Sequence, residues 1–137
     1  MSKQKTTATL VRDASTLLQL LVRLKAADEN GYVSCVVCGV TRHYKDRMDG
    51  GHFISRAKAS TRLIEENVHP ECKGCNMPGS GHEAGYAAFM INMYGKDFIE
   101  YLHKKSREVK KWNRSELLEL IDHFKEQIKY HKERLGE

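Results

Sequence analysis

The sequence predicts an α+β domain that is mainly helical, with a small metal-braced core between an N-terminal helix and two or three C-terminal helices. Three observations carry this reading. Leucines recur at helical spacing near the start, four cysteines bracket a segment bearing glycine and histidine, and a second apolar stripe runs through the C-terminal stretch. The 137 residues leave room for one ordinary domain. We read 1–137 as that domain: a disordered tail over 1–7, a helix over 8–30, a braced core over 31–94 and helices over 95–137. With 40% hydrophobic and 30% charged residues, the core is expected to be small and the helical surfaces long and solvated.

Taken in order, Leu17, Leu21 and Leu24, with Leu18 and Val22 alongside, predict the amphipathic N-terminal helix, and Gly31 supplies its stop. "YVSCVVCG" has strand-like β-branched and aromatic content ending in a glycine turn. "DGGHFIS" reads as a turn followed by a short strand. "STRLIEENVHPEC" returns the chain to the second cysteine pair, and Pro70 argues against a regular helix there. "NMPGSGHEAG" is loop and helix entry, and "YAAFMINMYG" is apolar nearly all round. Gly95 separates it from "KDFIEYLHKKSREV". Asn113 followed by Glu116 resembles a capping box. Leu117, Leu118, Leu120, Ile121, Phe124 and Ile128 then form one stripe through about residue 135. There is no internal repeat and no low-complexity tract.

No apolar run reaches the roughly 20 residues a membrane helix needs, and Met1 to Thr7 lacks the apolar stretch of a secretion signal. The expectation is a soluble, cytoplasmic protein without a membrane partner. The formal charge of +5 is moderate, and its distribution says more. Arg42, Lys45, Arg47, Arg56, Lys58 and Arg62 crowd the inter-cysteine loop. Lys104, Lys105, Arg107, Lys110, Lys111 and Arg114 form a second run, broken only by Glu108. Such runs are usually solvated helix faces, but two of them around a metal site point toward phosphate contacts.

Cys35 and Cys38 form one Cys-x-x-Cys pair, and Cys72 and Cys75 the other. Two such knuckles complete a tetrahedral Cys₄ zinc site, and a chain without export signals favours metal over disulfides. A closed Cys₄ site has no open position for substrate, so this zinc is expected to hold the fold and chemistry must come from elsewhere. His52, in "DGGH" near Arg56, is the candidate general base. Asn76 directly follows the last cysteine, and its carboxamide oxygen suits a hard cation, although by itself the residue reads first as a cap of the following helix. Asn67 is expected to hydrogen-bond backbone across the loop. His69 is a ligand, a supporting group or a packed side chain, and His82 is a weaker candidate ligand. His43, His103, His123 and His131 sit among polar or helical residues and are read as non-catalytic.

"GGHFISRA", "RLIEENVHPECKGCN", "SGHEAGYAAFMI" and "WNRSELL" together resemble the phage NinG (Rap) recombination endonucleases, a family within the HNH, or ββα-metal (His-Me finger), nucleases. The resemblance covers most of the chain after about residue 30. It implies a zinc-braced, treble-clef-like ββα-metal core and a host-cytoplasmic, phage-encoded protein. It also implies His52 as the base, Asn67 as the residue ordering the hairpin, and Asn76 as the ligand of a catalytic Mg²⁺ or Mn²⁺. Many superfamily members carry an acidic residue or histidine immediately before the base, where this chain has Gly51. Asp49, Glu65, His69, His82, a water or His52 itself would fill that ligand position.

The expected function is a divalent-metal-dependent, structure-selective DNA endonuclease acting on branched recombination intermediates. Arg42 and Arg56 would clamp the scissile phosphate, Lys58 and Arg62 would add to that contact, and Lys104, Lys105, Arg107, Lys110 and Lys111 would reach a neighbouring DNA arm. Paired cuts across a junction imply a homodimer. Two alternatives stay open: a non-catalytic Cys₄ zinc DNA-binding module, and an HNH nuclease specific for sequence on linear duplex.

Overall fold

A computed structural model describes residues 4–137. The elements run α1 (Thr7–Ala26), β1 (Tyr32–Ser34), β2 (Thr41–His43), β3 (Met48–His52), α2 (Ala59–Arg62), a 3₁₀ turn (Glu65–Asn67), β4 (Val68–Cys72), α3 (Glu83–Tyr94), α4 (Lys96–Ser106) and α5 (Arg114–Arg134). The mixed, mainly helical class agrees with the sequence expectation. Its β structure is two separate antiparallel pairs, β1 with β2 and β3 with β4.

The α1 stripe buries Leu10, Ala14, Leu18, Leu21 and Leu24. These pack on Leu117, Ile121, Phe124 and Ile128 of α5 and on Met48 and Val68 of the β3–β4 pair. Each fully buried leucine contributes roughly 1.5–3 kcal/mol of transfer free energy, so this three-way contact is the main core. Arg134 of α5 closes it by donating from Nη2 to the carbonyls of Leu24 (3.0 Å) and Ala27 (3.2 Å). Both carbonyls lie at the end of α1, where the Leu24 carbonyl also accepts from the Ala27 N–H at 3.2 Å.

The boundaries of α1 differ from expectation at both ends. Thr6 caps the helix, its Oγ1 accepting from the Thr9 N–H at 3.1 Å. Lys5 pairs with Asp13 at 2.8 Å, and its carbonyl accepts from Arg114 at 2.7 Å. The expected tail is therefore engaged from Lys5 onward, while residues 1–3 lie outside the described ones. At the other end the Asp28 carboxylate accepts from the N–H groups of Asn30 and Tyr32, both at 2.9 Å. That side chain builds a turn in place of a last helical turn, and Gly31 at φ +85° completes it.

"DGGH" is strand rather than turn. The reversal lies just before it, around Arg47 at φ 56°, and Arg23 braces it by donating to the carbonyls of Tyr44 and Met48 at 3.2 Å. Glycine is required in the strand for closeness instead. A Cβ at Gly50 would stand 2.6 Å from the Gln19 Cα, so only glycine lets α1 lie flat on the pair. The second face of β3–β4 meets α3, where Tyr86 donates its hydroxyl to the Gly51 carbonyl at 2.7 Å. Tyr86 belongs to a smaller core with Ile54, Met90, Ile99 and Leu102. Thus β3–β4 lies between the two cores.

The cap at Asn113 forms as expected, with its Oδ1 accepting from the Glu116 N–H at 2.9 Å. The Glu116 carboxylate accepts from the Asn113 side-chain amide at 2.8 Å rather than from backbone. No helix among the described residues is long and apolar enough to cross a membrane.

Candidate functional site

The Sγ atoms of Cys35, Cys38, Cys72 and Cys75 lie within 4.8 Å of one another, and none is in a disulfide. Cys38 and Cys72 are 3.8 Å apart at sulfur. Zinc–sulfur bonds of ~2.3 Å at tetrahedral angles place sulfurs about 3.8 Å apart, so the donor set suits one zinc ion. Each pair sits on a tight turn: the Gly39 N–H donates to the Cys35 carbonyl and the Asn76 N–H to the Cys72 carbonyl, both at 2.9 Å. Burial and the neighbouring sulfurs push the Cys75 thiol well up, a crowding that a dication relieves. The cluster ties the β1–β2 hairpin to the end of β4.

His52 closes β3 and is half-buried. Its Nε2 lies 3.0 Å from the Arg62 carbonyl. A carbonyl only accepts, so Nε2 carries the proton and Nδ1 of the neutral ring is left as acceptor. Burial lowers the imidazole below its ordinary value; the Arg62 carbonyl opposes this, and the charges of Arg62 and Arg56 add to it. The ring is thus a neutral base at physiological pH.

Asn67 is fully buried and touches no solvent. Its Oδ1 accepts from the Ile54 N–H at 2.8 Å, and its Nδ2 donates to the carbonyls of Ile54 and Thr61, both at 3.1 Å. It holds the loop after His52 and fixes the residue next to Arg62, whose carbonyl orients the imidazole. Asn67 is therefore a positioning residue with no route to substrate.

Asn76 is exposed and donates to the Asp49 carboxylate at 3.1 Å. Lys73 reaches the same carboxylate at 2.8 Å. Asp49 is directly opposite Glu71 in the strand register, and Glu71, unremarked in the sequence, is 5% exposed. Burial, then the charges of Asp49 and Glu83, raise its carboxyl to about 7. Two adjoining clefts meet at His52 and Asn76. One of about 340 Å³ also takes in Glu71, His82 and Glu83, and one of about 520 Å³ takes in Gln19, Asp49 and Arg56. His82 Nδ1 is buried there without a hydrogen-bond partner.

Other candidates fall away from this place. His69 uses both ring nitrogens, on the Tyr94 hydroxyl at 2.7 Å and the Tyr86 hydroxyl at 3.3 Å. Burial lowers it to about 4, so it is a packed neutral ring and not a ligand. Glu65 pairs with Lys25 at 3.1 Å beside that same ring. Arg42 lies on β2 of the other hairpin and lines neither cleft.

The basic residues gather differently from their order in sequence. Arg62 has a buried Nε without a partner, and burial together with Arg56 and Arg12 lowers its guanidinium. Arg12 comes from α1, outside both basic runs of the sequence. The second run packs beside α2: Ser60 donates to the Lys105 carbonyl at 2.7 Å and Trp112 to the Ala59 carbonyl at 3.1 Å. Lys104, Lys105 and Arg107 thereby join the side of the molecule holding Lys58 and Arg62. Lys110 is tied to Glu116 at 2.9 Å and stacks over Trp112, and Lys111 follows it on that linker.

A family model described as Bacteriophage Lambda NinG protein matches residues 1–134. The chain is 26% identical over 123 residues to protein NinG of Salmonella phage P22, covering 87% of this chain and 56% of that protein. It is 29% identical over 101 residues to protein NinG of Escherichia phage 933W and 28% identical over 101 residues to that of Escherichia phage lambda. Each of these covers 71% of this chain and 47% of the relative, so the chain spans about half the length of the curated relatives it matches. No solved structure matches it significantly.

Proposed function

We propose, from the premise that the chain belongs to the NinG family of bacteriophage proteins, that it is a divalent-cation-dependent DNA endonuclease acting on branched recombination intermediates. The observation that carries this is His52. Its Nε2 is committed to a backbone carbonyl, and the ring borders both clefts beside Asn76 and a group of arginines. A zinc module that only binds DNA has no need of a half-buried neutral imidazole held in one tautomer.

In this reading Nδ1 of His52 takes a proton from water as the water oxygen attacks phosphorus, and the P–O3′ bond breaks in line. The Arg62 carbonyl keeps the ring oriented and stabilises the imidazolium that forms. Asn76 and Asp49, already in contact, would hold Mg²⁺ or Mn²⁺ through oxygen. Such a cation supplies charge stabilisation for the pentacoordinate phosphorus and the departing 3′-oxygen. Arg56, Arg62 and Arg12 would bind the phosphate, and Lys58, Lys104, Lys105 and Arg107 an adjoining DNA arm. The Cys₄ zinc keeps β4, and with it Asn76, in place. One site cuts one strand, so cleavage of both strands at a junction calls for a homodimer.

The test is His52→Ala. The variant should fold and retain zinc while losing roughly 10²–10⁴-fold in cleavage of a four-way junction. Cleavage at the wild-type rate by this variant would overturn the mechanism.

A further inference from the structure

We infer that Glu71 is an anionic ligand in the cleft beside His52, binding a divalent cation together with Asp49 and the carboxamide oxygen of Asn76; this rests on the nuclease reading and extends its metal site. The first ground is placement. Asp49 and Glu71 are cross-strand partners, so their side chains leave the hairpin on one face. Asn76, four residues after Cys72, reaches the Asp49 carboxylate from the second cysteine turn.

The second ground is what glycine does at 51. A Cβ there would run into the Glu71 carboxylate oxygen Oε1. The side chain missing from the residue before His52 is thus the space that the Glu71 carboxylate fills from the neighbouring strand. An acidic group stands next to the base after all, delivered by β4 instead of β3.

The third ground is that no protein group partners the Glu71 carboxylate, whose oxygens open onto the cleft. It is 5% exposed and lines the smaller cleft. Among the described residues its carboxylate accepts no hydrogen bond and meets no lysine or arginine. A buried carboxylate facing another is costly unless a positive charge joins it. His82 lines the same cleft with its Nδ1 unpaired, but it does not come near enough to both carboxylates to share one ion with them. The oxygens of Glu71, Asp49 and Asn76 are hard donors of the kind that Mg²⁺ and Mn²⁺ take. The Lys73 contact to Asp49 is exposed and gives way readily.

The test is calorimetric titration of Mn²⁺ into the zinc-loaded chain, wild type against Glu71→Gln, which keeps the shape and removes the charge. Affinity should fall at least tenfold, with zinc content unchanged and melting not lowered. Equal affinity overturns the assignment. Should E71Q fail to fold, Mn²⁺-induced broadening of amide signals in the wild type decides: centred on Gly51, Glu71 and Asn76 it supports the site, and centred elsewhere it overturns it. Mn²⁺ bound through Glu71 by a chain that leaves branched DNA intact keeps this assignment and sinks the nuclease reading. Cation-dependent cleavage with unaltered E71Q affinity does the reverse, and no Mn²⁺ binding at all sinks both.

Discussion

Replacing Asn67 by alanine should cost more stability than any surface change, and its size can be worked from three contacts. The side chain satisfies the Ile54 N–H, the Ile54 carbonyl and the Thr61 carbonyl at 2.8, 3.1 and 3.1 Å, all in a residue without solvent exposure. Removing it leaves one donor and two acceptors buried. Each orphaned group costs about 1–3 kcal/mol, so the loss should be about 3 kcal/mol or more even with partial relaxation. That is a large share of the roughly 5–15 kcal/mol that holds a domain together. The assay is urea unfolding of the zinc-loaded chain, read as a lowered midpoint at unchanged slope. Asn67→Asp should be comparably damaging, because both carbonyls would then face a carboxylate. A loss under 1 kcal/mol for Asn67→Ala would refute the reasoning, since it would mean that the loop finds other partners. The variant should also loosen His52, whose carbonyl anchor on Arg62 adjoins Thr61.

Stripping the metal with a strong chelator should free all four thiols to titration and unfold the chain. Zinc sites of this type supply about 10–16 kcal/mol, comparable to the whole net stability; near-UV circular dichroism with a thiol count checks it, and an unchanged melting temperature of the stripped chain counts against it. Arg62→Ala should weaken DNA binding evenly across sequences and reduce the slope of log affinity against log salt by about one. Arg42→Ala, on the far hairpin, should leave cleavage near the wild-type rate. Binding titrations at several salt concentrations and a junction-cleavage assay separate the two arginines.

Much of this arrangement is legible along the chain because it is local. The Cys-x-x-Cys spacing, the leucine stripe of α1 and the Asn113 cap follow from side-chain chemistry within a few residues, and the backbone role of Asn67 from contacts inside one loop, to Ile54 and Thr61. The misreadings arise where packing between distant segments decides. "DGGH" looks like a turn because glycine is common in turns, yet Gly50 is set by the approach of Gln19 and Gly51 by the Glu71 carboxylate. Glu71 itself reads as an ordinary surface acid between a proline and a cysteine. Only the register that pairs it with Asp49 gives it significance, and a register is not visible in one sequence. His69 stays open in the sequence between ligand and packed side chain, because what decides it is two tyrosines from α3 that occupy its nitrogens. Arg12 joins Arg56 and Arg62 only because α1 folds back on the strands.

The central claim is cation-dependent cutting of branched DNA, and one measurement tests it most directly. Labelled linear, forked and four-way DNAs are incubated with the zinc-loaded chain, with and without Mg²⁺. The account predicts cleavage near the branch of the forked and four-way substrates, dependent on Mg²⁺, with linear duplex left intact. Binding without any cleavage, or cutting confined to a single site on linear duplex, would contradict it.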